Sequence, residues 1–259
     1  MAAGSGKIDP MHQFVIEPIF GSFQRGNPFV FTNSALWTLI ILATIYLFMM
    51  GGMKRALIPG RWQVAVEGLV SFVDDMVQAN IGKEGRKYLP WIFTAFIFLL
   101  FANLMAYMPV GVFPGVHPFT VTAQFTFTGV MAIISFAIVL GVGFWKHGLK
   151  FFSLFVPHGT PLPMVPLIFV VELISFLVRP FSLGLRPFIA MFAGHILLDI
   201  FGNFVVQGLN AGGGGIGVSI LCFLFVAFIS ALELLVAAIQ AYVFAILTAL
   251  YINDAEHLH

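Results

Sequence analysis

Charge is scarce in this chain: only 9% of its 259 residues are Asp, Glu, Lys or Arg, where an ordinary soluble domain carries roughly 25%. So few charged side chains cannot cover the surface of a soluble fold, and that class is excluded. Twelve basic against eleven acidic residues leave a net charge of +1, which offers no field to hold nucleic acid. A single cysteine, Cys222, excludes an internal disulfide framework and any cysteine-based metal cluster. It reads as a packed apolar side chain in a helix. No apolar core of signal-peptide length accompanies Lys7, Asp9 and His12, so the N-terminus reads as part of the mature protein.

What is plentiful is apolar: 60% of the residues are hydrophobic and 31 are phenylalanine. The charge-free run Ala35–Met53 has the length, about 20 residues, that crosses a bilayer core. Tyr88 to Trp145 is also uncharged, and the cluster Pro109, Gly111, Pro114, Gly115 and Pro118 divides it into two spans. A fourth apolar run, Pro163 to Gln207, is interrupted by Glu172, Arg179, Arg186 and Asp199, and a fifth, Gly217 to Ile252, by Glu233. The expectation is a single all-α polytopic membrane domain over 1–259. Its external N-terminal segment is 1–33, its spans are 35–53, 89–108 and 119–145, and two long helices cover 163–207 and 217–252. Between the first two spans, 61–80 mixes Trp62, Val66, Leu69, Phe72 and Val73 with Gln63, Glu67, Asp74 and Asp75. That pattern predicts an amphipathic helix lying along the membrane interface.

Positive charge in the connections sets the orientation. Lys54, Arg55, Arg61, Lys83, Arg86 and Lys87 precede the second span, and Lys146 and Lys150 follow the third, whereas 109–118 and 208–216 carry none. The N-terminus is therefore expected outside and the C-terminus in the cytoplasm. The last run is too long for an upright span: about 36 residues rising 1.5 Å each extend roughly 54 Å, against a core of about 30 Å. A strongly tilted pair of antiparallel helices is the expected solution.

Chemistry falls to the ionisable residues inside these runs, each costing roughly 2.5–3.5 kcal/mol at a span centre. Arg186 is the most demanding, because a guanidinium does not shed its proton. Glu172, Arg179 and Arg186 recur at intervals of seven, nearly on one helix face. A turn centred near Gly213 pairs Arg186 with Gln240 and sets Glu233 level with position 193, within about one 5.4 Å turn of His195. Arginine, amide, imidazole and carboxylate thus gather at the seam of one helix pair. The plainer readings are a buried ion pair or snorkelling side chain for Arg186 and Glu233, and a salt bridge to Glu172 or an interfacial position for Arg179. His195 and Asp199 stand four apart, yet two ligands without an H-E-x-x-H make no metal site. No residue pattern asks for a cofactor.

The stretch Glu172-Leu-Ile-Ser-Phe-Leu-Val-Arg179-Pro-Phe-Ser-Leu-Gly-Leu-Arg186, followed by Met191-Phe-Ala-Gly-His195, resembles the signature of subunit a of the rotary proton-translocating ATP synthase. So do Ala102-Asn103-Leu104 with Pro109, His147-Gly-Leu-Lys-Phe-Phe-Ser153, and Glu233 with Gln240. The resemblance covers about His12 to Ile252. It implies a non-catalytic stator in a bacterial inner membrane, set beside a ring of c subunits, with peripheral-stalk b-type subunits and the rest of the complex as further partners. Arg186 would be the essential arginine, with His195, Glu233, Gln240 and Asp199 in proton translocation.

Two departures accompany the resemblance. Where the family reads Arg-Leu-Phe-x-Asn-Met, this chain reads Arg186-Pro187-Phe188-Ile189-Ala190-Met191. Ala190 cannot hydrogen-bond in place of the family's channel asparagine. Pro187 removes a backbone donor, at about 3 kcal/mol in an ordinary helix, and either bends or locally unwinds the chain beside Arg186 or is tolerated in a helix held by its neighbours. A ring carboxylic acid crosses lipid only when neutral, and a fixed guanidinium lowers its pKa so that the proton leaves there. A secondary transporter would also keep polar residues at midplane but normally shows internal repeats, and none is found. An intramembrane enzyme would need a nucleophile and base or a metal cluster at catalytic spacing, and none stands out.

Overall fold

The computed structural model describes residues 14–16, 18–20, 30–53, 60–107, 119–155 and 164–257. The expectations resting on the residues up to His12, on Lys54 and Arg55, and on the cluster Pro109 to Pro118 lie outside these residues. A short antiparallel pair, β1 (Pro18–Phe20) with β2 (Phe31–Thr32), leads into α1 (Asn33–Gly52). The Thr32 hydroxyl caps α1 by accepting from the Ala35 amide at 3.3 Å, satisfying one of the amides that a helix start leaves without a partner. Amphipathic α2 (Arg61–Ile81) follows and stops at Gly82, whose φ of 87° is open mainly to glycine. Then come α3 (Leu89–Ala106), α4 (Phe125–His147), α5 (Val165–Asn210) and α6 (Gly213–Glu256). Single 3-10 segments, Lys83–Lys87, Val121–Ala123 and Gly148–Phe155, precede α3 and flank α4. The chain is an all-α polytopic membrane protein in which α1, α3, α4, α5 and α6 are long and apolar enough to span.

The third expected span, 119–145, is displaced toward its C-terminal end. Its helix starts only at Phe125, because buried Phe119 and Thr120 lead into the buried 3-10 turn Val121–Ala123, which packs on α3 and α5. Central in the bundle is α3, with 56% of its apolar window buried against 17% for α5 and for α6. Ile92, Ala95 and Leu99 are fully enclosed, and they pack in one core with Val73 and Val77 of α2, Val139 of α4, and Phe244, Ala245 and Ile252 of α6. The amphipathic helix is therefore docked: its Val73 and Val77 face is the one sealed against the spans.

At 1.5 Å per residue, the 46 residues of α5 and 44 of α6 extend about 69 and 66 Å. They form an antiparallel hairpin, turned at Gly212 with φ 68°. Phe201 stacks on Phe225 at 5.7 Å, and the Ser219 hydroxyl donates to the Val205 carbonyl at 2.9 Å. Close to the turn the backbones nearly touch: a Cβ on Gly208 would collide with Ser219 Oγ and lie 2.7 Å from the Gly215 carbonyl oxygen. Cys222 is buried on α6. Because so little of the hairpin is covered by the other spans, most of its apolar surface points outward.

Candidate functional site

Arg186 sits on that outward surface. It is exposed, in company with exposed Val178, Phe181 and Ile189 on the same helix. Among the described residues it has neither a hydrogen bond nor an ion pair. A guanidinium has five donors and no means of becoming neutral, so Arg186 keeps a permanent charge whose donors go unused among the described residues. Its neighbours by one and three residues point the other way. Leu183 and Pro187 are buried, and between them Gly184 meets α4 so closely that an added Cβ would lie 3.2 Å from both Ala132 Cβ and Gly129 Cα.

Of the readings open for Pro187, local unwinding is absent. The helix runs unbroken from Val165 to Asn210 with Pro180 and Pro187 both inside it, as membrane helices allow when neighbours support the backbone. With the helix continuous, His195, nine residues beyond Arg186, falls on the opposite face, and it is buried inside the bundle.

Around His195 the structure builds a polar pocket in an apolar seam. Its Nε2 lies 3.1 Å from the Thr120 hydroxyl, and its ring stacks on Tyr107 with centroids 5.1 Å apart and planes 10° from parallel. Tyr107, just past the end of α3, also directs its hydroxyl at Met191 Sδ, 3.7 Å away. His195 and Tyr107 open onto a cavity of about 520 Å³ shared with Leu198, Ser230, Ala231 and Leu234. Asp199, one turn further along α5, is half-buried, and its backbone carbonyl accepts from the Asn203 side-chain Nδ2 at 2.8 Å.

Glu233 enters from α6. It is buried, and its carboxylate rests directly on Gly194, the residue before His195, where an added Cβ would overlap Oε1. The seam therefore brings imidazole and carboxylate to the same level, as turn-centred pairing requires. Both Glu233 oxygens, Gln240 Oε1, Asn103 Oδ1 and Thr122 Oγ1 are buried without a hydrogen-bond partner. Asn103, fully enclosed on α3, uses its amide nitrogen to reach the Ala237 carbonyl at 3.1 Å, one turn along from Glu233. Buried acceptors are ordinarily satisfied; here five on neighbouring elements are not. Gln240 shares the inward face of Glu233, and no bond joins it to Arg186.

The two remaining charges on α5 behave differently from the heptad pattern. Arg179 pairs with Asp254 of α6, Nη1 to Oδ2 at 2.7 Å, and its guanidinium lies over the rings of Tyr251 and Phe176 at 5.1 and 5.7 Å. Of the readings open for Arg179, a bridge to Glu172 is absent, because seven helical residues span about 10 Å, while Asp254 arrives directly across the hairpin. Glu172 is half-buried and unbonded among the described residues. No three His, Cys, Asp or Glu gather as metal ligands among the described residues.

Tyr107, Thr120 and Gly194 belong to this site without any mark in the sequence. Nothing in the spacing of single residues reveals a ring stack across 88 positions or a glycine whose missing Cβ is filled by a distant carboxylate.

A helical membrane protein whose interior ionisable groups are collected along one long antiparallel hairpin is the class that these features define. The family model described as the ATP synthase A chain matches residues 34–253. The chain is 62% identical to ATP synthase subunit a of Sphingopyxis alaskensis over 262 residues, covering 100% of both chains. It is 62% identical to that of Novosphingobium aromaticivorans over 258 residues, covering 98% of this chain and 99% of the relative. To that of Zymomonas mobilis it is 52% identical over 266 residues, covering 99% and 100%. The chain belongs to the ATP synthase A chain family.

Proposed function

We propose that this chain is the non-catalytic stator subunit that carries protons through the membrane sector of a bacterial ATP synthase, coupling their flow to rotation of a c-subunit ring. The observation that carries this reading is the division of α5 into two faces. One presents an unpartnered Arg186 to the outside, and the other presents His195 to a buried polar pocket.

The outward arginine faces the ring. A ring carboxyl arriving protonated from the lipid meets a permanent positive charge, its pKa falls, and the proton departs. Arg186 also keeps the inlet and outlet apart, since a proton passing between them would have to cross a fixed like charge. The inlet is the file of His195, Glu233, Gln240 and Asn103 with the 520 Å³ cavity at Tyr107. Its unsatisfied acceptors suit water, which conducts protons by exchange of hydrogen bonds. Tyr107 and Ala106 stand at the end of α3 remote from Lys87 and Lys146, so the positive-inside rule makes this the outer half-channel. Each proton that descends 100 mV releases about 2.3 kcal/mol, available as rotation. Peripheral-stalk b-type subunits hold the stator still.

Reconstitution separates this reading from a proton-coupled secondary transporter. The purified chain alone in vesicles is expected to be impermeable to protons under an imposed potential, and to conduct when co-reconstituted with its c ring. Robust transport by the chain alone would overturn the proposal.

A further inference from the structure

On the side of the bundle where α3 begins and α4 and α6 end, the carboxylate of Glu256 is completely enclosed and bonded by Lys87 Nζ at 2.9 Å, Lys146 Nζ at 2.7 Å and the Tyr88 hydroxyl at 2.6 Å. Both ammonium groups bond the same oxygen, Oε1, so they stand side by side. Each keeps two further N–H donors, and the lysine side chains remain 51% and 41% exposed. One carboxylate shared by two cations leaves a local positive charge. That charge borders a groove of about 660 Å³.

Three features of the groove specify its occupant. One wall is an apolar stripe on α4, Ile138, Gly141, Val142 and Trp145, at the spacing that lines up along a helix; it runs from the lysines toward the middle of the span. At its rim Trp145 is 95% exposed, in the position where tryptophan marks the boundary of hydrocarbon and headgroup. Glu84 also lines the groove, exposed and unbonded among the described residues. Donors for a phosphate, a separate free carboxylate and an apolar track leading away from both match an amphiphile with a zwitterionic head.

We propose that this groove binds one membrane phospholipid whose headgroup carries a primary ammonium, of the phosphatidylethanolamine type. Its phosphate sits on Lys87 and Lys146, its ammonium on Glu84, and one acyl chain lies along the α4 stripe. The Glu256 cluster presents the two lysines as a fixed pair and joins the ends of α3, α4 and α6, so the lipid seals the outer side of that junction.

The test is native mass spectrometry of the intact membrane complex, purified in mild detergent and exchanged against vesicles of phosphatidylethanolamine, phosphatidylcholine or phosphatidylglycerol. One retained phosphatidylethanolamine per chain is expected, held at least several-fold better than phosphatidylcholine. Gly141→Leu should remove it: a Cβ at Gly141 meets nothing within 4 Å, so the new side chain fills the groove without disturbing the lysine cluster. Glu84→Gln should abolish the preference for ethanolamine and favour phosphatidylglycerol. Inorganic phosphate should not displace the lipid, because it lacks the apolar track. The proposal is overturned if no lipid is retained, if retention is the same in Gly141→Leu, if wild type prefers the anionic lipid, or if inorganic phosphate alone displaces it. None of these outcomes depends on proton flux through the hairpin.

Discussion

Gly194→Ala isolates the position of the Glu233 carboxyl. An alanine Cβ there would overlap Oε1 and lie 2.6 Å from Cδ and 3.3 Å from Cγ, so the carboxyl carbon must retreat by roughly an ångström to reach van der Waals separation. Overpacking of this kind costs about 1–3 kcal/mol, while alanine for glycine in a helix returns about 1 kcal/mol. The net effect on folding is therefore small and the complex should assemble. Proton transfer is far less forgiving, since a misplacement of about 1 Å costs on the order of a hundredfold in rate. Proton-driven ATP synthesis in inverted vesicles should fall by about that factor, with copurification of the complex unchanged. Gly68→Ala, on α2 where an added Cβ meets nothing within 4 Å, supplies the matched comparison and should leave both readouts as in wild type. Normal synthesis by the Gly194→Ala variant would refute the reasoning.

Three further expectations follow from the same geometry. His195→Ala and Glu233→Ala should each slow proton flux, and the double variant should be little worse than the poorer single one, as for residues in one pathway; additive losses in log rate would count against a shared file. Glu256→Ala deprives two lysines and a tyrosine of their common acceptor, and because both lysines are half-exposed and can rehydrate, the loss should be about 1–3 kcal/mol, read as a lowered Tm of the chain in detergent; an unchanged Tm would show that the cluster contributes nothing. The Glu256 hydrogen bond holds the Lys87 ammonium above its usual pKa, so its stabilisation is complete below the unfolded-state pKa and disappears as pH rises through the higher folded value. Alkaline titration should therefore narrow the Tm gap between wild type and Lys87→Met, and a gap that is constant to high pH contradicts this.

The sequence made the helices and their pairing legible because both depend on local quantities. Charge-free length marks a span, and a glycine run between two apolar stretches fixes the centre of a hairpin, which is enough to bring Glu233 to the level of His195. Partnerships between distant residues were not legible. Arg179 had a carboxylate seven residues back in Glu172 and took Asp254 from the other helix instead. Lys87 and Lys146 read only as markers of orientation, yet they converge on Glu256. At Pro187 local propensity left unwinding and tolerance both open, and tight packing of Gly184 on α4 accompanies a helix that runs through the proline. The exposure of Arg186 and the burial of His195 follow from that continuity, since nine residues of unbroken helix reverse the face.

In the proposed function, the charge of Arg186 is what makes proton flow productive. Inverted vesicles carrying Arg186→Ala or Arg186→Lys, matched to wild type for assembled complex, should be compared for proton-driven ATP synthesis. No synthesis is expected with alanine and nearly none with lysine, whose ammonium can lose its proton when desolvated and lacks the planar fork. Near-normal synthesis by the alanine variant would contradict this.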